Sequence, residues 1–227
     1  MEMQILATIN NNFKWLIKGG NYENLILELM NISIKLFPNQ YEHIDSQAKG
    51  ECDFIDIQTG TKYDAKLPFT PSQGQLIGSN NANYEKWITS MLSECAEFSQ
   101  KMIQLRDLHN IEELTLYEVM KKAIENDKVD ENIIFFFPFP IVCESSGGIF
   151  SQFASDILSN IYDTLNRNGI IKERKVYTIY PSIDNKLGIR LLNTGVREWF
   201  TSDTMNQYIE YDAFLVNNNS PRIVDES

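Results

Sequence analysis

The chain has 227 residues, of which 43% are hydrophobic, and this composition excludes a disordered or low-complexity protein. Its net charge of −11 argues against a large nonspecific nucleic-acid surface but leaves a local one open. The longest apolar run, Ile133 to Cys143, contains two prolines and is shorter than the ~20 residues of a membrane span. The start of the chain lacks the basic and apolar blocks of a signal peptide, so we expect a cytoplasmic protein.

Cysteine and histidine are scarce, which limits the chemistry that the chain can perform. Three widely spaced cysteines fit neither a disulfide framework nor a zinc knuckle, and two histidines leave little material for imidazole sites. Any metal ion would therefore be held by oxygen atoms, which favours a hard cation such as Mg²⁺.

The first predicted element is a helix over residues 22–37, which Pro38 ends. Apolar positions cover most of its circumference, so we expect this helix to be largely buried. One narrow polar stripe is left, and it must face water or a functional site. The stripe consists of Asn24, Glu28, Asn31 and Lys35.

A short strand over residues 41–46 and a β-hairpin are predicted next. The two hairpin strands, 51–58 and 61–67, are separated by Thr59 and Gly60, which are typical turn residues.

The pairing across this hairpin places charged side chains on one face. A two-residue turn at Thr59-Gly60 pairs Asp53 with Lys66, and it pairs Ile55 with Asp64. Since side chains alternate along a strand, Asp53, Asp64 and Lys66 then share a face. A four-residue loop keeps this parity, whereas a three-residue loop breaks it. The opposite face suits a core, with Asp56 as its misfit; it consists of Cys52, Phe54, Tyr63, Ala65 and Leu67.

The remaining elements predict an α/β chain. The apolar seam of a long helix at 84–108 is typical of a core or subunit contact, and the apolar strand at 133–137 suits the centre of a sheet. We expect a core of residues 1–145 and a strand-rich C-terminal α+β extension of residues 146–227, packed on the core or continuous with it. The other predicted elements are helices at 111–126 and 149–166 and strands at 175–180, 187–192 and 208–216.

Two carboxylates on neighbouring strands repel each other unless a cation lies between them. A lysine beside them can form a salt-bridged cluster of purely structural role, or it can take part in chemistry. For Asp53, Asp64 and Lys66, the residues alone leave both interpretations open.

This pattern resembles the signature of the PD-(D/E)XK nuclease superfamily, in which an early Asp is followed on the next strand by Asp/Glu-X-Lys. Here the residues are Asp53 and then Asp64-Ala65-Lys66, and the resemblance covers roughly residues 20–140. The family's order of helix, three strands, helix and strand agrees with the predicted elements. The resemblance implies a restriction-endonuclease-like αβββαβ core, with a mixed central sheet flanked by helices.

The resemblance also implies a role for each matching residue. Asp53 and Asp64 would be ligands of Mg²⁺, for which Mn²⁺ can substitute, and the backbone carbonyl of Ala65 would be an additional ligand. Lys66 would orient the attacking water or help to deprotonate it.

The first helix and the flanking residues are less uniform within this family. Some members add a glutamate from the first helix, and Glu28 is the candidate because Glu23 lies off the polar stripe. The residue before Asp53 is Cys52 and not the proline of the family signature, a departure that many members tolerate. No tyrosine follows Gln73 or Gln75 at the spacing of the exonuclease branch, which leaves that branch unsupported.

A local excess of positive charge lies in the last third of the chain. Between Arg167 and Arg197 there are seven basic and two acidic residues. Such residues interleaved with tyrosines can follow a phosphate backbone, although a solvated hairpin explains the same pattern. The candidate nucleic-acid contacts are Lys172, Arg174, Lys175 and Arg190.

The leading hypothesis is a metal-dependent nuclease, a hydrolase that cuts DNA internally in a restriction or phage-defence setting. We expect nucleic acid as partner, no membrane, and either a homodimer or membership of a larger protein complex. One alternative is a non-catalytic nuclease-fold subunit that serves as a binding or assembly module. The other is an unrelated α/β protein, in which the hairpin would not need to lie within the sheet beside the strand at Ile133.

Overall fold

A mixed β-sheet of seven strands is the main element of the fold. It is seen in a computed structural model, and the chain is α/β. The structure describes residues 21–44, 52–67, 69–70, 75–76, 113–114, 116–125, 131–137, 141, 149–182 and 186–200.

The strands of the large sheet are β1 (Tyr41–His43), β2 (Phe54–Asp56), β3 (Lys62–Lys66), β6 (Asn132–Phe136), β7 (Val176–Pro181), β8 (Leu187–Leu191) and β9 (Arg197–Phe200). They lie in the order β1-β2-β3-β6-β7-β8-β9. The β3–β6 and β6–β7 pairs are parallel, and the other neighbours are antiparallel. β4 (Phe69–Thr70) and β5 (Gln75–Leu76) form a separate two-stranded ladder.

The predicted hairpin lies within this sheet, as expected. β2 and β3 are its second and third strands, and β3 pairs directly with the apolar strand β6. β7, β8 and β9 continue the same sheet from β6. The proposed division after residue 145 stays a prediction. The predicted helix at 84–108 and strand at 208–216 lie outside the described residues.

In the described ranges, three helices flank the sheet: α1 (Asn21–Ile32), α2 (116–125) and α3 (Ile149–Arg167). Within the described part of the chain, no helix combines the length and the apolar character needed to cross a bilayer.

The alternation of side chains along β6 divides the interior into two cores. Ile133 and Phe135 pack with α2 and α3, whereas Ile134 and Phe136 pack with α1 on the other face. All four side chains have no exposed surface, and each contributes roughly 1.5–3 kcal/mol of hydrophobic stabilisation. The sheet is therefore covered on both faces, as its apolar central strand predicted.

The first helix ends earlier than predicted. The apolar pattern extends to residue 37, but α1 stops at Ile32 because the following loop binds to β9. The carboxylate of Glu198 accepts hydrogen bonds from Ser33 Oγ at 2.5 Å and from the backbone N–H of Lys35 at 3.3 Å. The sequence pattern does not predict β9, because its four residues begin with a charged pair.

The hairpin loop has four residues, not two. Phe54 faces Tyr63 and Ile55 faces Lys62, so the pairing predicted from a two-residue turn is wrong. The loop spans 57–60, and the parity of the two strands is unchanged.

Asp56, the misfit on the core face, explains the longer loop. Its carboxylate accepts hydrogen bonds from the backbone N–H of Gln58 at 2.9 Å and of Thr59 at 3.2 Å. It also accepts one from the side-chain amide of Asn39 at 2.6 Å. Gly60 closes the loop at a φ of +72°, a conformation that glycine adopts at little cost.

We expect Asp56→Ala to lower the free energy of unfolding at pH 7 by about 2 kcal/mol, because the loop N–H groups and the Asn39 amide lose a buried acceptor. Burial alone raises the pKa of Asp56, but its hydrogen bonds from Asn39, Thr59 and Gln58 outweigh burial and lower that pKa. The stabilisation is therefore present at neutral pH and is lost as the pH falls through the folded-state pKa.

Urea unfolding at pH 7 and at acidic pH measures this effect, with the exposed neighbour Gln58→Ala as control. The difference in the free energy of unfolding between Asp56→Ala and wild type should become smaller at acidic pH. The same difference at both pH values would contradict the role assigned to Asp56.

Candidate active site

Asp53 lies where the ladder between β2 and β3 stops. Its backbone N–H donates to Tyr63 O at 3.0 Å, and its carbonyl accepts from Ile44 N at 3.0 Å. Beyond this point the backbone N–H of Ala65 donates to Asp53 Oδ2 at 2.7 Å. The carboxylate thus takes the place of a ladder partner, and its orientation is held by the edge of β3.

Asp64 and Lys66 lie two residues apart on β3 and therefore share a face. Tyr63 and Ala65, which alternate with them, belong to the core under α1. Lys66 Nζ forms an ion pair and hydrogen bond with Asp64 Oδ2. The side chain of Asp64 is only 12% exposed, whereas that of Lys66 is 27% exposed and reaches solvent.

The carboxyl groups of Asp53 and Asp64 lie close together, since each perturbs the pKa of the other. The structure thus brings Asp53, Asp64 and Lys66 together, in the way that the hairpin parity predicted. The three residues share a face despite the wrong register, because the observed loop is longer than the predicted turn by two residues, and an even number leaves the alternation of side chains unchanged.

Burial and mutual repulsion perturb both acids. Burial raises the pKa of Asp64 to about 6, with a further increase from Asp53 and an opposing decrease from the ammonium of Lys66. Burial also raises the pKa of Asp53, while its hydrogen bonds from Asp64 and from the Ala65 N–H lower it. The pair therefore keeps one proton until the pH rises to about 6. A cation bound between the two carboxyl groups would relieve the same repulsion.

The first turn of α1 adds a residue that the polar stripe did not predict. Burial raises the pKa of Asp53, and the charge of Glu23 raises it further. Burial and then the neighbouring Glu23 also raise the pKa of the Tyr22 phenol. Asn24 Oδ1 lies 3.2 Å from His43 Nε2, which holds this turn of the helix against β1.

Glu28, the predicted helix ligand, is half-buried, and burial is the cause of its raised pKa. Glu23 lies in the first turn, where an acidic residue is ordinarily explained by the helix dipole. Its sequence position thus carried no distinctive signal of a site.

The four basic candidates differ in what their side chains do. Lys172 and Lys175 are exposed. Arg174 donates to two backbone carbonyls, Ile171 O at 3.1 Å and Ile170 O at 2.9 Å, and so holds the segment that leads into β7.

Arg190 does not lie at the surface. It is 2% exposed beneath α3, where it donates to Tyr180 OH at 3.2 Å and to Ser155 Oγ at 3.0 Å. The prediction that Arg190 contacts nucleic acid is therefore wrong, because α3 covers this face of β8.

The acid pair has the donor chemistry of a magnesium site. Mg²⁺ is commonly bound by one or two carboxylates, with waters and substrate phosphates completing its shell. Asp53 and Asp64 would supply such carboxylates, and the Ala65 carbonyl would be the additional ligand that the resemblance implies. Among the residues that the structure describes, no group of three or more His, Cys, Asp or Glu side chains is placed to hold a metal.

Comparison with known proteins adds no further identification. No family model, no curated protein and no solved structure matches this chain. The function of the protein is therefore inferred from the geometry and the electrostatics of the site itself.

The raised pKa of Asp64 predicts how the stability of the metal-free protein depends on pH. A carboxyl group whose folded-state pKa exceeds its unfolded-state value stabilises the fold while it is protonated, and this stabilisation is lost as the pH rises through about 6. We expect Asp64→Asn, which cannot ionise, to be more stable than wild type at pH 8 by about 1–3 kcal/mol.

Chemical denaturation between pH 5 and pH 8 in the presence of a chelator measures this difference. Asp163→Asn, on the exposed side of α3, is the matched control and should follow wild type. Parallel stability curves for Asp64→Asn and wild type would show that Asp64 is ionised without cost.

Proposed function

We propose that this protein is a metal-dependent phosphodiesterase that cuts nucleic acid, built on a restriction-endonuclease-like core of the PD-(D/E)XK type. The observation that carries the proposal is the meeting of Asp53, Asp64 and Lys66 beside one another on adjacent strands. A buried acid beside a half-buried one is costly to keep in a fold, and perturbed acids of this kind cluster at functional sites.

The order and the placement of the elements support the same proposal. α1 is followed by the antiparallel strands β1, β2 and β3, and β6, later in the chain, pairs in parallel with β3. This order agrees with the helix, the three strands and the final strand that the resemblance implies, while the helix expected between them, 84–108, lies outside the described residues. Asp53 directly precedes β2, and Asp64 and Lys66 lie on β3, which are the places that the resemblance implies for the acidic motif.

The residues of the site fit the needs of phosphodiester hydrolysis. A phosphodiester resists attack because its anionic oxygens repel the nucleophile. A bound Mg²⁺ supplies positive charge that offsets this repulsion and makes water a stronger acid. Asp53 and Asp64 would hold the ion, and the Ala65 N–H orients one oxygen of Asp53 for this purpose.

Lys66 has a separate role in this proposal. Its ammonium is partly exposed beside Asp64, and it can donate a hydrogen bond to a phosphate oxygen or to the attacking water. Glu23 adds negative charge near Asp53 and so strengthens the attraction for a divalent cation.

One observation favours the second candidate, a non-catalytic nuclease-fold module. The ion pair between Lys66 and Asp64 neutralises part of the cluster internally. In such a module the three residues would be structural, and the chain would bind partners without cutting phosphodiester bonds.

Incubation of supercoiled plasmid, linear duplex DNA and RNA with Mg²⁺ or Mn²⁺ distinguishes the two candidates. We expect cutting by wild type and a loss of at least ~100-fold in rate for Asp53→Asn, Asp64→Asn and Lys66→Ala, because each removes charge at the reacting phosphate. Linearisation of closed circles would establish internal cleavage.

A chelator should abolish cutting, and Asp163→Asn should cut at the wild-type rate. Intact substrates in every reaction, with a folded protein, would favour the binding module. Equal rates for wild type and Asp64→Asn would assign any cutting to a contaminant.

The two helix glutamates can be ranked by their effect on the metal requirement. We expect Glu23→Gln to raise the Mg²⁺ concentration at half-maximal activity about 3–10-fold, as removal of a nearby charge costs about 1 kcal/mol. Glu28→Gln should change this concentration less. A larger increase for Glu28→Gln than for Glu23→Gln would assign this role to Glu28. Two variants whose Mg²⁺ concentration at half-maximal activity equals that of wild type would exclude both residues from the metal site.

A further inference from the structure

Three exposed lysines lie at the end of the sheet where the parallel strands begin. Lys62 is the first residue of β3, and Lys172 and Lys175 belong to the segment between α3 and β7. The backbone N–H of Lys175 donates to Asn132 Oδ1 at 2.9 Å, which ties this segment to the start of β6. We call Lys62, Lys172 and Lys175 the lysine edge.

Strand register places Lys62 and Lys175 close to the acid pair. Asp64, Ile133 and Val176 face one another across β3, β6 and β7. With strands ~4.8 Å apart and ~3.3 Å per residue, the Cα atom of Lys175 lies about 10 Å from that of Asp64, and its side chain, one residue before Val176, belongs to the opposite face at this end of the sheet. Lys62 lies about 7 Å from Asp64 on the same face of β3.

The segment that carries two of these lysines is held in one conformation. Gly169 adopts a φ of +69° after α3, and the guanidinium of Arg174 binds two carbonyls within the segment. Lys172 itself has a φ of +57°, a conformation in which a non-glycine residue costs roughly 1–2 kcal/mol. A cation is thus retained at a position where glycine or asparagine would be less strained.

Opposing charge at this edge is limited among the described residues. Glu173 is exposed in the same segment, and Glu131, just before β6, is only 5% exposed. The loop at the tip of the hairpin, 57–60, carries no charged residue. Among the described residues of this edge, the three exposed lysines therefore outnumber the two acids, within a chain whose overall charge is −11.

We propose that the lysine edge contacts the sugar-phosphate backbone of the nucleic acid and directs the strand across the Asp53–Asp64 pair. This inference rests on the proposed function and specifies the end of the sheet from which the polymer approaches. The ammonium group of a lysine, carried on a flexible side chain, binds phosphate as a point charge and does not read base edges, so we expect binding here to be independent of base sequence.

The test removes the three positive charges and measures binding without cutting. In an Asp64→Asn background, Lys62→Gln, Lys172→Gln and Lys175→Gln are combined, and binding of a fluorescent duplex DNA is followed by anisotropy over a salt series. The control combines Lys35→Gln, Lys186→Gln and Arg197→Gln, which removes the same charge outside the edge: Lys35 follows α1, Lys186 precedes β8 at the far end of β7, and Arg197 begins β9.

We expect the lysine-edge variant to bind duplex DNA ~10- to 100-fold more weakly at moderate salt and to lose about 2–3 from the slope of log affinity against log salt. The control should keep nearly the full slope. Equal slopes for the two variants, or an unchanged affinity of the lysine-edge variant, would overturn the proposal. Thermal melting of both variants confirms that they are folded.

Failure of this inference can be separated from failure of the proposed function. Hydrolysis of a small phosphodiester such as bis(4-nitrophenyl) phosphate by the wild-type protein with Mg²⁺ or Mn²⁺ reports on the acid pair alone. Activity that Asp64→Asn abolishes, together with equal DNA binding by the two triple variants, would retain the phosphodiesterase and reject the lysine edge.

Discussion

The alternation of side chains along β3 is the constraint on which the candidate site depends. One face of this strand supplies Tyr63 and Ala65 to the core under α1, and the other supplies Asp64 and Lys66. The pairing with β6 anchors β3 between two apolar layers, so the charged face cannot turn away without exposing the core. The position of the acids is thus determined by the hydrophobic effect acting on their neighbours.

The cost of this arrangement is visible in the acids themselves. Asp64 is largely buried next to a second carboxyl group, and its pKa rises to about 6. A pair of uncharged residues would fold more readily at this place. Charge that is retained against such a cost is expected where a cation or a substrate completes the site, and the neutralising Lys66 offsets only part of the repulsion.

Other charged and polar residues serve the fold, and their roles differ from the site in a recognisable way. Asp56 holds the hairpin loop, Glu198 holds the loop after α1, and Arg174 holds the segment before β7. Each binds backbone groups that have no partner in a helix or strand, so its charged group is already hydrogen-bonded within the fold. Lys62 and Lys175, in contrast, remain exposed at the start of the parallel strands.

The comparison of Glu23 with Glu28 shows where patterns along a helix reach their limit. A polar stripe identifies the side of a helix that avoids the core, but it does not identify which residues approach another element. That depends on which end of α1 lies near β1 and β2, and the contact between Asn24 and His43 brings the first turn there. Arg190 illustrates the same limit, since strand periodicity does not reveal that α3 covers its face.

The sequence by itself determined the α/β class, the apolar central strand, the hairpin and the shared face of Asp53, Asp64 and Lys66. These follow from local rules, namely the two-residue period of strands and the conformational preferences of turn residues. Only the tertiary structure decided the register of the hairpin, the end of α1, the burial of Arg190 and the approach of Glu23 to Asp53. These depend on contacts between residues far apart in the chain, whose energies no local pattern contains.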